Sequence, residues 1–476
     1  MDVVYLPAAM EQAASELLED RRLRATRGLD RKHRSALGQF FTPASVARFM
    51  ASLLEFPERE AVHLVDPGAG IGSLTAAVAH KALPPAVSRL SATCYEVEPA
   101  FQADLQATLD GLHHVTGTIE PQDFIEHTIR LLCSGDKPNY THAILNPPYK
   151  KITTDSLPRF LVRKLGLETS NLYTCFIACS IASCRPGAQV VCIIPRSFMN
   201  GLYFKPFRLW LLERVALTHL HVFDSRDQAF SDDHVLQENV ILRMVVAGQQ
   251  GPVAVSTSYD QTFADLRQRR CDFSTLVTPG DGDSFIHVPS LDSCVSGGLQ
   301  GQTLREIGLD VCTGPVVDFR LREHLSMQPK SGTVPLLYAS HFSNHQFEWP
   351  KEGRKPNAIA RNAETERWLL PRGCYVILRR LSSKEEKRRI VAYLLDENAL
   401  PDDRIGFENH LNVIHKDRQG LPADVARGLV AYLNSQAVDD YFRTFSGHTQ
   451  VNATDLRRLR YPSIAELEQA GRATLA

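Results

Sequence analysis

The chain has 476 residues, 43% hydrophobic and 22% charged, with a formal net charge of -1. That is material for two or more globular domains, and since no apolar run reaches membrane-spanning length it excludes a helical membrane span. The neutral balance neither favours nor excludes a polyanionic partner, because what counts is whether basic residues gather on one face.

They do gather locally. Arg21, Arg22, Arg24, Arg27, Arg31, Lys32 and Arg34 fall in one short stretch opposed only by Asp30, and residues 351–389 carry 12 Lys/Arg against 5 Asp/Glu. Ten cysteines include no C-x-x-C, and Cys175, Cys179, Cys184 and Cys192 lie in apolar sequence, so they read as reduced core thiols of a cytoplasmic protein. His33, His113, His114 and His142 lack ligand spacing, so no metal site is expected.

In chain order, Thr42-Pro43 opens the first helix. Thr is expected at its N-cap and Pro at the next position, with Ala44 to Leu54 following. From about 42 to 255 short apolar runs then alternate with amphipathic stretches, the pattern of a doubly wound α/β sheet. Strands are expected at 61–65, 91–95, 115–119, 142–145, 188–194, 217–223 and 235–246. Further helices are expected over 74–81, 99–109 and 202–214. Across 250–300 Gly, Asp, Ser and Pro accumulate, the alternation fades, and a domain boundary is expected. Beyond it short strands (334–337, 375–378) mix with helices (423–434), which suits an α+β module.

Asp66-Pro67-Gly68-Ala69-Gly70-Ile71-Gly72 follows the first strand of the sheet. Its strictly alternating glycines disfavour a dinucleotide site, whose third glycine comes three residues after the second. They suit a small zwitterionic ligand, with Asp66 as acceptor for an ammonium. At the end of the next strand stand Glu96 and Glu98, of which Glu96 is the choice to hold two ribose hydroxyls. After the third comes Asp123-Phe124, an acceptor for an adenine amine and a ring for its edge. In that order, these features describe S-adenosyl-L-methionine.

Asn146-Pro147-Pro148-Tyr149 follows the apolar run Ala143-Ile144-Leu145 and so falls at the carboxyl end of a buried strand. The Asn side-chain carbonyl and a proline carbonyl both accept from an amine, and Tyr149 offers a ring to stack on. The tetrapeptide predicts methylation of a planar exocyclic amine.

Motif by motif the chain resembles the gamma-class N6-adenine DNA methyltransferases of bacterial restriction-modification systems, the TaqI-like group. Gly38-Gln39-Phe40-Phe41-Thr42-Pro43 is similar to that family's amino-terminal motif, and the other matches are Asp66 to Gly72, Glu96, Asp123-Phe124 and Asn146 to Tyr149. Phe41 stands where Tyr is frequent. The resemblance implies a Rossmann-like class I methyltransferase domain over 1–290, with a basic arm at about 1–35, and a DNA target recognition domain over 291–476. It implies that Phe41, Thr42 and Pro43 contact the cofactor with Asp66, Gly68, Gly70, Glu96, Asp123, Phe124 and Asn146. The substrate it implies is an adenine flipped out of double-stranded DNA, expected to stack between Tyr149 and a second ring at Phe230, with Phe223 as rival. A cognate restriction endonuclease would be a separate chain.

In the carboxyl-terminal part Arg354, Lys355, Arg361, Arg379, Arg380, Arg388 and Arg389 are candidates for phosphate contacts. The same tetrapeptide also serves RNA, cytosine-N4 and protein-glutamine methyltransferases, and the carboxyl half faintly resembles a non-catalytic DNA-specificity subunit. These stand as alternatives.

Overall fold

The structure, a computed structural model, describes residues 21, 41–56, 61–81, 89–112, 114–223, 239–289, 299–343, 346–382, 386–445 and 450–474. The chain divides into two compact units, Met1–Cys294 and Val295–Ala476.

In the first unit the apolar runs form one nine-stranded sheet. Its strands are β1 (Ala61–Pro67), β2 (Arg89–Tyr95), β3 (Val115–Glu120), β4 (Tyr140–Leu145), β5 (Cys184–Pro195), β6 (Val215–Phe223), β7 (Asn239–Val246), β8 (Val253–Ser258) and β9 (Arg267–Cys271), in the spatial order β3-β2-β1-β4-β5-β7-β6-β8-β9. β7 runs antiparallel to both its neighbours and β9 antiparallel to β8, while the other pairings are parallel. The order reverses at β1/β4, where successive crossovers leave in opposite directions and the carboxyl ends of the strands open a crevice.

Helices α1 (Ala44–Ser52), α2 (Ser73–His80), α3 (Pro99–Asp110), α4 (Phe124–Ser134), α5 (Leu157–Val162), α6 (Leu172–Ser183) and α7 (Lys205–Leu212) accompany the sheet. Two apolar cores result. One gathers Val46, Met50, Leu64, Leu105 and Ile193, the other Val65, Phe124, Ile177, Ile194 and Phe207.

Two expectations are corrected. The first helix begins at Ala44 with Pro43 as N-cap, and no side chain caps it. Thr42 lies one residue too early, and its hydroxyl is engaged elsewhere. The sheet also does not end near 250, since β8 and β9 extend it. β9 reads Arg267-Gln268-Arg269-Arg270-Cys271, an edge strand whose exposed charges hide it from a search for apolar alternation.

The second unit holds a four-stranded and a five-stranded sheet. The first pairs Asp310–Thr313, Leu411–His415, Tyr375–Arg379 and Ala392–Leu395, all antiparallel; in the second, Thr333–Leu337 and Arg404–Phe407 run parallel. Helices Ala423–Leu433 and Ile464–Ala473 pack backbone to backbone. A Cβ on Gly428 would lie 2.0 Å from the Leu467 carbonyl oxygen, and one on Gly471 1.9 Å from that of Asp424.

Candidate active site

The carboxyl ends of β1, β2 and β4 open onto a cavity of about 270 Å³ lined by Phe41, Gly68, Gly70, Glu96, Asp123 and Asn146, among others. Its floor is the turn after β1. Gly68 N and Ala69 N both donate to the Tyr95 carbonyl at 2.9 Å, and Gly68, Gly70 and Gly72 have φ of 76°, 57° and 86°. At Gly70 a Cβ would come within 3.1 Å of the Phe41 ring, a tight contact added to a left-handed backbone conformation that favours glycine.

Glu96 ties this turn to the next strand end. Its Oε2 accepts from Gly70 N and its Oε1 from Glu98 N, each at 2.8 Å. The side chain is 4% exposed, and burial raises its pKa. Each carboxylate oxygen keeps a second lone pair, so the group can still accept from a diol. Asp123 is the N-cap of α4, its Oδ1 accepting from Glu126 N at 2.9 Å. Phe124 follows it into the wall.

Asp66 is placed differently. It is fully buried beneath the turn and is not part of the cavity wall; Thr75 Oγ1 donates to its Oδ2 at 2.7 Å. Its Oδ1 has no hydrogen-bond partner among the described residues, and burial pushes the carboxyl up to about 7.

Asn146 follows β4 directly. Its Nδ2 donates to Thr42 Oγ1 at 3.1 Å, and its Oδ1 accepts from the Tyr149 hydroxyl at 2.8 Å. The same hydroxyl lies 3.1 Å from the Ile193 carbonyl on β5. Pro147 is buried and Pro148 joins the cavity wall. The Tyr149 ring meets Tyr173 edge-on at 6.2 Å.

The structure therefore brings Phe41, Gly68, Gly70, Glu96, Asp123, Phe124, Asn146 and Pro148 to one cavity, with Thr42 and Tyr149 attached through Asn146. Phe230 lies outside the described residues. Its rival Phe223 is 3% exposed and packs against Phe263, so it is a core residue. Sequence reasoning did not single out Phe101, Leu172 or Phe176, which also line the cavity. Phe101 meets the Phe41 ring at 5.1 Å; its position just after Pro99, in the first turn of the helix following Glu96, was the available signal. Phe176 sits on α6, a helix apolar on all sides whose sequence says only that it is buried.

Among the histidines, His142 is a core residue, bonded to Thr141 Oγ1 and the Glu55 carbonyl, and His114 bonds the Ala79 carbonyl. Of the carboxyl-terminal basic residues, Lys355 pairs with Asp318 at 2.8 Å and Arg361 with Asp403 at 2.6 Å. Arg389 is 1% exposed, its guanidinium over the Phe442 ring, so it is withdrawn from the candidate phosphate contacts.

Residues 102–230 match the family described as Eco57I restriction-modification methylase. The type II methyltransferase M.BsuBI of Bacillus subtilis is 45% identical over 451 residues, covering 91% of this chain and 89% of its own. The type II methyltransferase M.PstI of Providencia stuartii is 40% identical, covering 95% and 92%. Among solved structures, the cryo-EM structure of a DrdV–DNA complex shares the fold at TM-score 0.53 and 13% identity, covering 96% of this chain and 59% of that larger one. Two relatives that match along almost their whole length decide the matter, and protein-glutamine and RNA methylation fall away as alternatives: the chain belongs to the type II restriction-modification methyltransferase family and is a DNA methyltransferase of a restriction-modification system.

Proposed function

We propose that the protein transfers a methyl group from S-adenosyl-L-methionine to N6 of an adenine everted from duplex DNA, in the gamma-class manner. One observation carries this reading: the amide of Asn146, an acceptor for an exocyclic amine, stands in the wall of the same cavity as Glu96, Asp123 and Phe124.

The residues fit the cofactor. Glu96 would hold the ribose hydroxyls, and Asp123 and Phe124 the adenine. The glycine turn lets backbone approach the methionine part, while Asp66 beneath it, outside the cavity wall, supports the turn through Thr75. Bound there, the cofactor supplies a methyl already activated by its sulfonium, so the protein needs no strong base.

Asn146 Oδ1 and the Pro147 carbonyl accept the two N6 hydrogens and fix the nitrogen lone pair in line for transfer. The Tyr149 hydroxyl need not be stranded when the amine arrives, because the Ile193 carbonyl is a second acceptor 3.1 Å away. The Tyr149 ring stacks on the base, and Phe230 is the proposed second ring. Stacking of about 1 to 3 kcal/mol per ring offsets an eversion cost of a few kcal/mol. Val295–Ala476 supplies target recognition.

The test is incubation of duplex DNA with radioactive methyl donor and digestion to nucleosides. N6-methyl-2′-deoxyadenosine is expected; N4-methyl-2′-deoxycytidine as the product would replace the adenine reading. Asn146→Ala is expected to abolish transfer while cofactor affinity stays near wild type.

A further inference from the structure

Tyr203 is 87% exposed and Leu202 46%, an apolar pair displayed to solvent on the turn after β5. This turn is not loose. The guanidinium of Arg208, whose side chain is fully buried, holds it from inside: Nη1 donates to the carbonyls of Phe198 at 2.8 Å and Gly201 at 2.7 Å, and Nε to that of Asp283 at 3.0 Å. Gly201 N closes on the Ser197 carbonyl at 2.9 Å, and a Cβ there would lie 2.6 Å from that oxygen.

The next residue, Phe204, turns inward onto Tyr173 at 5.8 Å, and Tyr173 abuts the Tyr149 ring. β5 is also the parallel neighbour of β4, with Leu145 opposite Cys192, so the turn leaves the sheet beside the strand that presents Asn146. A fixed backbone thus holds an aromatic side chain outward, on the face where a DNA methyltransferase must receive its substrate.

We infer that Tyr203, flanked by Leu202, is a wedge that enters the base stack of the DNA duplex at the step vacated by the target nucleotide. The inference rests on the adenine-eversion reading above and deepens it. Eversion leaves an orphaned partner base and an open step; apolar side chains are inserted between base steps by other DNA-binding proteins, and an aromatic ring placed there can stack on the exposed bases. Tyr203 touches DNA at a distance from the transferred methyl, so its contribution depends on how much the target resists leaving the helix.

The experiment compares the full-length wild type with Tyr203→Ala and Tyr203→Phe in single-turnover methylation. The probes are a duplex carrying the methylated sequence, established by sequencing DNA modified by the wild type, and the same duplex with an abasic site opposite the target adenine. On the paired duplex Tyr203→Ala is expected to be about ten- to a hundredfold slower. On the abasic duplex the deficit should shrink to less than about threefold, because eversion is easier there. Tyr203→Phe should stay near wild type on both. An unimpaired Tyr203→Ala, or the same loss on both duplexes, overturns the wedge while leaving adenine methylation standing. A wild type that forms no N6-methyladenine overturns the underlying reading, and the wedge with it.

Discussion

Asn146 Nδ2 donates to Thr42 Oγ1 at 3.1 Å, joining residues 104 positions apart in the chain. The amide nitrogen faces Thr42 and its oxygen faces the Tyr149 hydroxyl, each end paired with a group that can donate or accept. With nitrogen committed to Thr42, the Asn146 oxygen is the atom presented toward Tyr149, and it is the oxygen that an amine substrate needs.

Thr42 is therefore a positioning residue. Thr42→Val keeps the shape and removes the acceptor, which leaves the amide able to flip. Loss of a hydrogen bond of about 1 kcal/mol predicts a fall in kcat of roughly five- to tenfold, with the dissociation constant for the cofactor little changed. Thr42→Ser should restore most of the rate. Rapid-quench methylation with equilibrium cofactor binding separates the two effects.

The Tyr149 hydroxyl has two acceptors, Asn146 Oδ1 and the Ile193 carbonyl, and one hydrogen to share between them. Its work is to occupy Asn146 until the amine does. Tyr149→Phe removes that competitor and retains the ring, so its kcat is expected within about threefold of wild type. Tyr149→Ala also loses stacking, worth about 1 to 3 kcal/mol, and should fall at least tenfold. A Tyr149→Phe variant as slow as Tyr149→Ala would show that the hydroxyl acts on the substrate directly.

Much of the first unit is legible because parallel strands buried on both faces are written as unbroken apolar runs. Ala143-Ile144-Leu145 and Val190 to Ile194 announce themselves, and chemistry placed at their carboxyl ends is found by counting. What escapes is contact between segments distant in sequence. Nothing local distinguishes Thr42 the helix cap from Thr42 the partner of Asn146, and a cap is the commoner use of Thr before a helix. Phe176 escapes for the opposite reason: on a helix buried on all sides, the residue that faces a cavity looks like those that face the core. Edge strand β9 escapes because solubility demands charge where pattern reading demands apolar residues.

Glu96 holds two backbone amides at 2.8 Å and is expected to hold a ribose as well. Glu96→Gln leaves one oxygen and turns the other acceptor into a donor, facing either Gly70 N or Glu98 N. Charge-assisted hydrogen bonds of about 1.5 to 3 kcal/mol predict a cofactor dissociation constant raised roughly ten- to a hundredfold, measurable by calorimetry on the protein without DNA. Because the turn after β1 is also loosened, the melting temperature should fall even without cofactor. An unchanged affinity would remove Glu96 from the binding set.

Asp66 carries a pH signature. Burial raises its carboxyl from 3.8 to about 7, so the folded protein binds this proton more tightly than the unfolded chain does. The sign follows: the contribution is fully present below about pH 4 and is lost as pH rises through about 7, as a carboxylate must be ionised in a buried place where, among the described residues, Thr75 donates to it. Asp66→Asn does not titrate. Its stability relative to wild type, by chemical unfolding without cofactor, should climb between pH 4 and pH 7 by up to about 4 kcal/mol and then level off. A flat difference across that window would mean that Oδ1 is satisfied in solution.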